Sequence, residues 1–313
     1  MEICLHVGAH RTGTTSFQKY MQVSVAASGA DEVVYWGPKR TRDGMFAGLI
    51  KDPDNIGLDE DMLAKRSIGR IRFGLTKAAK NGATHLVVSE ENMIGTMAQN
   101  FRSTQLYGQA RARLTRFAPA LWDQALRIGI AIRSYEHYWA SAMSFRICAG
   151  MPMPCEDKLD MLVTQPRRWR DVICDINAVF PGAQIVVWPF EGFASRPSDA
   201  ASALLGAASG MEPAKDMWCN ASKSADRLAD YLSERGDHAG ARAMREQGPR
   251  YMPFRDDHID KLRQDYSEDL AWLNAGADGL ATYIAPTGDT SGGQTDTRGT
   301  GNERKAQRLV GAG

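Results

Sequence analysis

The sequence predicts an α/β fold: a parallel sheet of about five strands, flanked by helices, with a C-terminal helical elaboration. Three observations predict it. Short apolar runs of strand length (2–7, 32–36, 84–89, 127–132 and 184–189) alternate with longer helix-period stretches near 14–26, 59–81, 102–118, 134–148 and 164–180, the pattern of βαβ units. The first run enters a Gly/Thr-rich turn that opens a helix. A chain of 313 residues, 43% hydrophobic and 24% charged, can bury one large core.

Ile3-Cys4-Leu5 leads into His6-Val7-Gly8-Ala9-His10-Arg11-Thr12-Gly13-Thr14-Thr15-Ser16, a strand, turn and helix start that aims backbone N–H groups at one point. Gly8 and Gly13 have the Walker A spacing of a P-loop-type sheet, but Thr14 stands where Walker A requires Lys, and the long cation sits inside the loop at Arg11. A turn that merely caps a helix, with Thr14 as its N-cap, would read the same way. Residues 37–58 and 149–162, rich in Gly, Pro and charge, read as long loops over the sheet's carboxyl edge. The third run, Thr84–Ser89, delivers Glu90, Glu91 and Asn92 to the end where ligands of parallel sheets bind; carboxylates also suit a helix N-terminus without any catalytic task. The fourth run ends at Arg133. The following helix has Tyr135, Tyr138, Trp139, Ala142 and Met143 on an apolar face, and Ser134, His137, Ser141 and Ser144 on a polar stripe. Pro189 ends the fifth strand.

Beyond the sheet, Ala225, Leu228, Ala229 and Leu232 mark one amphipathic helix, and Ile259, Leu262, Tyr266, Leu270 and Leu273 another. Asn220-Ala221-Ser222 reads as an N-cap before the first. One folded unit is expected over 1–283, and a disordered tail over 284–313, where apolar residues nearly vanish.

Composition narrows the classes of function. A net charge of +1 gives no global field that would recruit nucleic acid or an anionic membrane. No apolar run approaches the ~20 residues of a membrane span, and no basic and apolar leader precedes the first strand. Five cysteines without a Cys-x-x-Cys read as reduced packing residues, so a cytoplasmic protein is expected. The six histidines form no metal-ligand pattern, so no metal is expected.

Gly8-Ala9-His10-Arg11-Thr12-Gly13-Thr14-Thr15 resembles the 5′-phosphosulfate loop of the sulfotransferases that use 3′-phosphoadenosine 5′-phosphosulfate (PAPS), with Arg11 where that family usually has Lys. Arg133 and Ser141 have the spacing of its 3′-phosphate ligands, and Ser89-Glu90-Glu91-Asn92 is similar to its Ser-Ser-Glu-Asn segment. Asn220-Ala221-Ser222 also resembles a short element of some bacterial members. The resemblance spans roughly 1–240 and implies transfer of a sulfuryl group from PAPS to an acceptor hydroxyl of a carbohydrate, lipid or small metabolite. It implies that Gly8, His10, Arg11, Thr12, Gly13, Thr14, Thr15, Ser16, Arg133 and Ser141 bind the donor, with Arg11 also stabilising charge. Glu91, or failing that Glu90, would be the general base, with His10 as a further option. A small-molecule or nucleotide kinase with an irregular P-loop, and a non-catalytic anion-binding domain, are the alternative readings.

Overall fold

Six parallel strands form one sheet in the order β2-β3-β1-β4-β5-β6: β1 (Glu2–His6), β2 (Val33–Trp36), β3 (His85–Ser89), β4 (Leu126–Ile132), β5 (Gln184–Pro189) and β6 (Thr282–Tyr283). The computed structural model describes residues 1–28, 32–206, 217, 219, 222–246 and 248–286. The five expected strands form within a residue or two of their predicted limits. The sixth escapes sequence reading because two residues cannot display an alternation. It pairs with β5 through Val186 and Val187, and the Ile284 N–H continues the pairing to the Val187 carbonyl. Residues 284–286 thus belong to the fold, and the rest of the expected tail lies outside the described residues.

The sheet is buried on both faces, as parallel sheets require. Ile3, Leu5, Leu86, Val88, Ile128, Ile130, Ile185 and Val187 point into the larger core. The alternate residues Cys4, Val87, Ala131, Val186 and Trp188 point into the smaller one. The smaller core is closed by Phe17, Tyr20 and Met21 of the Thr14–Ser28 helix and by Ala201, Leu204 and Leu205 of the Pro197–Leu205 helix. The larger core takes in Ile71 and Leu75 of the Leu58–Lys80 helix, Tyr138 and Trp139 of the Tyr135–Cys148 helix, and Val172 and Ile176 of the Trp169–Val179 helix. The C-terminal helices Ala225–Glu234, His238–Glu246 and Asp256–Asn274 join it through Leu228, Met244 and Leu262.

Several local expectations need correction. The helix expected over 102–118 is broken. Thr96 caps Met97–Ser103, Thr104 and Tyr107 take left-handed backbone, and a new helix runs Ala110–Thr115. The 149–162 loop gives way to a helix at Glu156–Thr164, whose buried Leu159, Leu162 and Val163 have helical spacing that the neighbouring prolines obscure. In 37–58, short turns at Pro38–Arg40, Thr41–Met45 and Pro53–Asn55 replace an open loop. The polar stripe of the Tyr135–Cys148 helix is solvated only at His137: Ser134, Ser141 and Ser144 are all buried. Ser224, not the Asn220 segment, caps Ala225–Glu234 by accepting from the Arg227 N–H; Asn220 and Ala221 lie outside the described residues. Cys4 is buried, but Cys155 and Cys174 are exposed.

Topology sets where a ligand can bind. From β1 the chain first builds one side of the sheet (β2, β3) and then the other (β4, β5, β6). The carboxyl ends of β3, β1 and β4 therefore surround a switch point, where open parallel sheets bind ligands.

Candidate functional site

The loop after β1 is anchored to the sheet before it turns. The Val7 and Ala9 N–H groups donate to the Gly129 and Ala131 carbonyls, and the Ala131 N–H donates to Gly8. Gly8 has φ +107°, and a Cβ there would meet the Glu91 Cβ at 3.0 Å, so the loop entrance requires glycine and brings Glu91 against it. Arg11 takes left-handed backbone at φ 60°. For a residue with a long side chain this costs about 1–3 kcal/mol, a strain found preferentially at functional sites. Gly13, at φ +82°, turns the chain into the helix, which starts at Thr14; Thr14 is thus its first residue rather than its cap.

A solvent-open cavity of about 450 Å³, including its mouth, lies at this turn. It is lined by Arg11, Arg133, the helix start Gly13–Ser16, Phe190 and Ser222, with Ala194 and Cys219. Two guanidinium groups line it and, among the described residues, no carboxylate does. Arg11 Nε donates to Ser141 Oγ at 2.9 Å, and Arg11 Nη2 to Ser222 Oγ at 3.4 Å; the two serine hydroxyls are 2.8 Å apart. Arg133 reaches back across the loop, donating from Nη1 to the Arg11 carbonyl at 2.8 Å, with its guanidinium 4.4 Å from the Phe190 ring centre. Its Nε is buried without a hydrogen-bond partner among the described residues. Burial pushes Arg133 down to about 10, with Glu191 opposing that and Arg11 adding to it. The Trp169 indole N–H holds the Arg133 carbonyl at 2.8 Å. Arg11, Arg133 and Ser141, far apart in sequence, are therefore brought together.

Other predicted site residues are engaged elsewhere. The Thr12 hydroxyl donates to the Ala9 carbonyl within the loop. Ser16 Oγ accepts from the Cys219 N–H. His10 is buried, and the Tyr107 hydroxyl accepts from its N–H and pairs with its Nδ1, each at 2.9 Å. Burial pushes the His10 imidazole down, opposed by Glu91, Asn92 and Glu90. It is a brace for the loop rather than a group of the cavity lining.

The two carboxylates differ sharply. Glu90 is fully buried. It accepts from Thr41 Oγ1 at 2.7 Å, from Arg42 Nε and Nη2 at 2.9 and 2.8 Å, and from the Asn92 N–H and Nδ2 at 3.1 and 2.7 Å. It caps the short turn Glu91–Met93, as an acid after a strand does without catalytic duty. Glu91 keeps some exposure and accepts from Gln18 Nε2 and Arg42 Nη2, both at 2.9 Å. Burial alone would raise its carboxyl, but His10, Arg42 and the Gln18 hydrogen bond outweigh it and hold Glu91 below the ordinary carboxylate range. Arg42 bridges both carboxylates, so they do not face opposite sides as strand neighbours would; β3 has already ended at Ser89.

Sequence reading missed Arg42, Gln18 and Tyr107, and it singled out Ser222 only within the Asn220-Ala221-Ser222 element. Arg42 lies in the segment assigned to the carboxyl edge, and a cation there beside two acids was the available signal. Gln18 and Tyr107 carry none, because a lone amide or phenol in a helix or turn has no pattern.

No family model matches the chain, and no curated protein or solved structure matches it. Among the described residues, no group of three His, Cys, Asp or Glu could hold a metal, and no helix is long and apolar enough to cross a membrane.

Proposed function

We propose that the chain transfers a sulfuryl group from PAPS to an acceptor hydroxyl. One observation carries this reading: the cavity at the switch point is lined by two guanidinium groups, hydroxyls and a helix start and, among the described residues, by no acid. Such an all-donor lining suits a ligand with several anionic groups, and Arg forks match phosphate oxygens. Arg133, with an unpaired buried Nε, retains donor capacity toward an anion. The residues present thus fit the donor.

When bound, PAPS supplies a sulfuryl group activated by its anhydride bond to phosphate. Gly13, Thr14, Thr15 and Ser16 would hold the 5′-phosphate with backbone N–H groups and hydroxyls. Arg133 and Ser141 would hold the 3′-phosphate, the group that separates this donor from ATP. Arg11, always charged, would offset negative charge on the transferred group and the leaving phosphate. Glu91, ionised at neutral pH and packed against Gly8, would take the proton of the acceptor hydroxyl. Glu90, with its oxygens already hydrogen-bonded, would serve by fixing Arg42 and through it Glu91.

The test is donor-dependent transfer of radiolabelled sulfate from PAPS to a panel of carbohydrate, lipid and small-metabolite hydroxyl acceptors. Label should move with the wild-type chain and not with Arg11→Ala. Transfer of phosphate from ATP–Mg²⁺ in its place would replace this reading with a kinase.

A further inference from the structure

We propose that the outer face of the Leu58–Lys80 helix is a docking surface for an anionic lipid bilayer. The near-neutral charge of the whole chain conceals this face. From Met62 to Lys80 the helix carries Lys65, Arg66, Arg70, Arg72, Lys77 and Lys80 and not one acid, and all six cations are exposed. Its ion pairs among the described residues are confined to the first turn, where Glu60 meets Lys51 and Asp61 meets Arg116. None of the cations from Lys65 onward joins one.

The arrangement of the face matters as much as its charge. Ala64, Ile71, Leu75 and Ala78 turn into the core. On the opposite side Leu58, Met62, Gly69 and Phe73 recur at helical spacing and form a strip. Leu58 is 85% exposed, Met62 53% and Phe73 73%. By the same periodicity Arg66, Arg70 and Lys77 flank the strip on one side, and Lys65 and Arg72 on the other. Trp122, 75% exposed, follows the Ala118–Leu121 turn that packs on this helix, and its neighbour Asp123 feels the charge of Arg72. An apolar strip edged by long cations, with an exposed Trp beside it, is the composition of a helix lying in a membrane interface.

Charge and apolarity together select the occupant. A polyanion in water, such as a nucleic acid, would use the cations and leave Leu58, Met62 and Phe73 in water. A second copy of the chain would bring six like charges against six. An anionic bilayer accepts both, with apolar side chains below the headgroups and cations among them. The face is also tied to the candidate site: Arg70 Nη1 donates to the Gly44 carbonyl at 2.7 Å, in the segment that carries Arg42 to Glu91. The proposal does not depend on the transfer chemistry.

Flotation of the full-length chain with vesicles tests it. At about 0.1 M salt, binding to vesicles of equal phosphatidylglycerol and phosphatidylcholine should exceed binding to pure phosphatidylcholine by about tenfold or more, and should weaken at 0.5 M salt. The triple variant Lys65→Glu/Arg66→Glu/Lys77→Glu should lose the anionic preference. Phe73→Ser, at an exposed position, should melt with the wild type and bind several-fold less. Equal binding to both vesicle types, or none, would overturn the proposal. So would vesicle binding indifferent to Phe73→Ser and matched by single-stranded DNA at the same salt, since that would mark a polyanion surface. If the triple variant fails to fold, the salt series and Phe73→Ser decide the matter on their own.

Discussion

The carboxyl ends of β1 and β3 lie side by side, yet they treat their charged residues in opposite ways. Beyond β1, Arg11 and Arg133 face an open cavity whose lining, among the described residues, holds no carboxylate, and among those residues the buried Arg133 Nε has no hydrogen-bond partner. Beyond β3, Glu90 is closed in by Thr41, Arg42 and Asn92, and only Glu91 keeps exposure. The difference teaches that a charged residue at a sheet's ligand-binding end is informative only with its partners. A donor without an acceptor is set up for a ligand, whereas a fully hydrogen-bonded acid is set up for the fold.

Glu90 and Glu91 give the sharpest way to break this comparison. Glu91→Gln should lower turnover by about 10²–10⁴-fold, the usual worth of a general base, with melting and donor affinity nearly unchanged. Glu90→Ala should act chiefly on stability, with any loss of turnover following from the freed Arg42. Leaving the Arg42 cation without its buried partner should destabilise the chain by about 2–4 kcal/mol, less than a fully buried pair because Arg42 is half-exposed. Thermal melts and turnover of the two variants side by side decide it; loss of turnover without loss of stability in the Glu90 variant would exchange the roles.

Arg11 comes next. Arg11→Ala should reduce transfer by about 10²–10³-fold, as removal of a charge-stabilising donor does, while Arg11→Lys should keep much of it. Near wild-type transfer by Arg11→Ala would make the loop a helix cap. Arg133→Ala should weaken adenosine 3′,5′-bisphosphate by about tenfold or more, the worth of a charge-assisted hydrogen bond, and affect adenosine 5′-monophosphate much less. Equal losses would remove Arg133 from a 3′-phosphate site.

A further effect concerns pH. His6, buried beside Phe17 and Trp188 and paired through Nδ1 with Ser89, is pushed down to about 4 by burial, with Glu91 opposing. The fold holds it neutral, while the unfolded chain protonates it near 6.5. Its contribution is therefore complete above pH 6.5 and is lost as pH falls toward 4, on the order of 3 kcal/mol over that window. Asp269, raised to about 6 by burial, acts in the opposite sense but is common to both proteins in a paired measurement. Denaturant unfolding of wild type and His6→Phe between pH 7 and 4 should show a shallower pH slope in the variant; parallel slopes would contradict the account.

The fold and half of the site were legible in the sequence for the same reason. Strand, glycine turn and helix are local, so residues 2–16 declare the loop. Arg133 and Ser141 sit on one strand–helix unit whose period fixes their relation. The β3 end was not legible. Which acid is buried depends on Thr41 and Arg42, in a segment without periodicity, and on Gln18, a helix residue known only once α/β packing sets it beside β3. His10 looked like a cavity group because its neighbours are; Tyr107, across the fold, claims it. The sixth strand and the turns within 37–58 were hidden by shortness alone.

The central claim is that the cavity beyond β1 is built for a nucleotide with a 3′-phosphate. Calorimetric titration of the full chain with adenosine 3′,5′-bisphosphate and with ATP–Mg²⁺ tests it most directly. The account predicts a one-to-one complex with the bisphosphate, at least about tenfold tighter than with ATP–Mg²⁺, given the strength of one added charge-assisted contact. Tighter binding of ATP–Mg²⁺, or no heat with the bisphosphate, would contradict it.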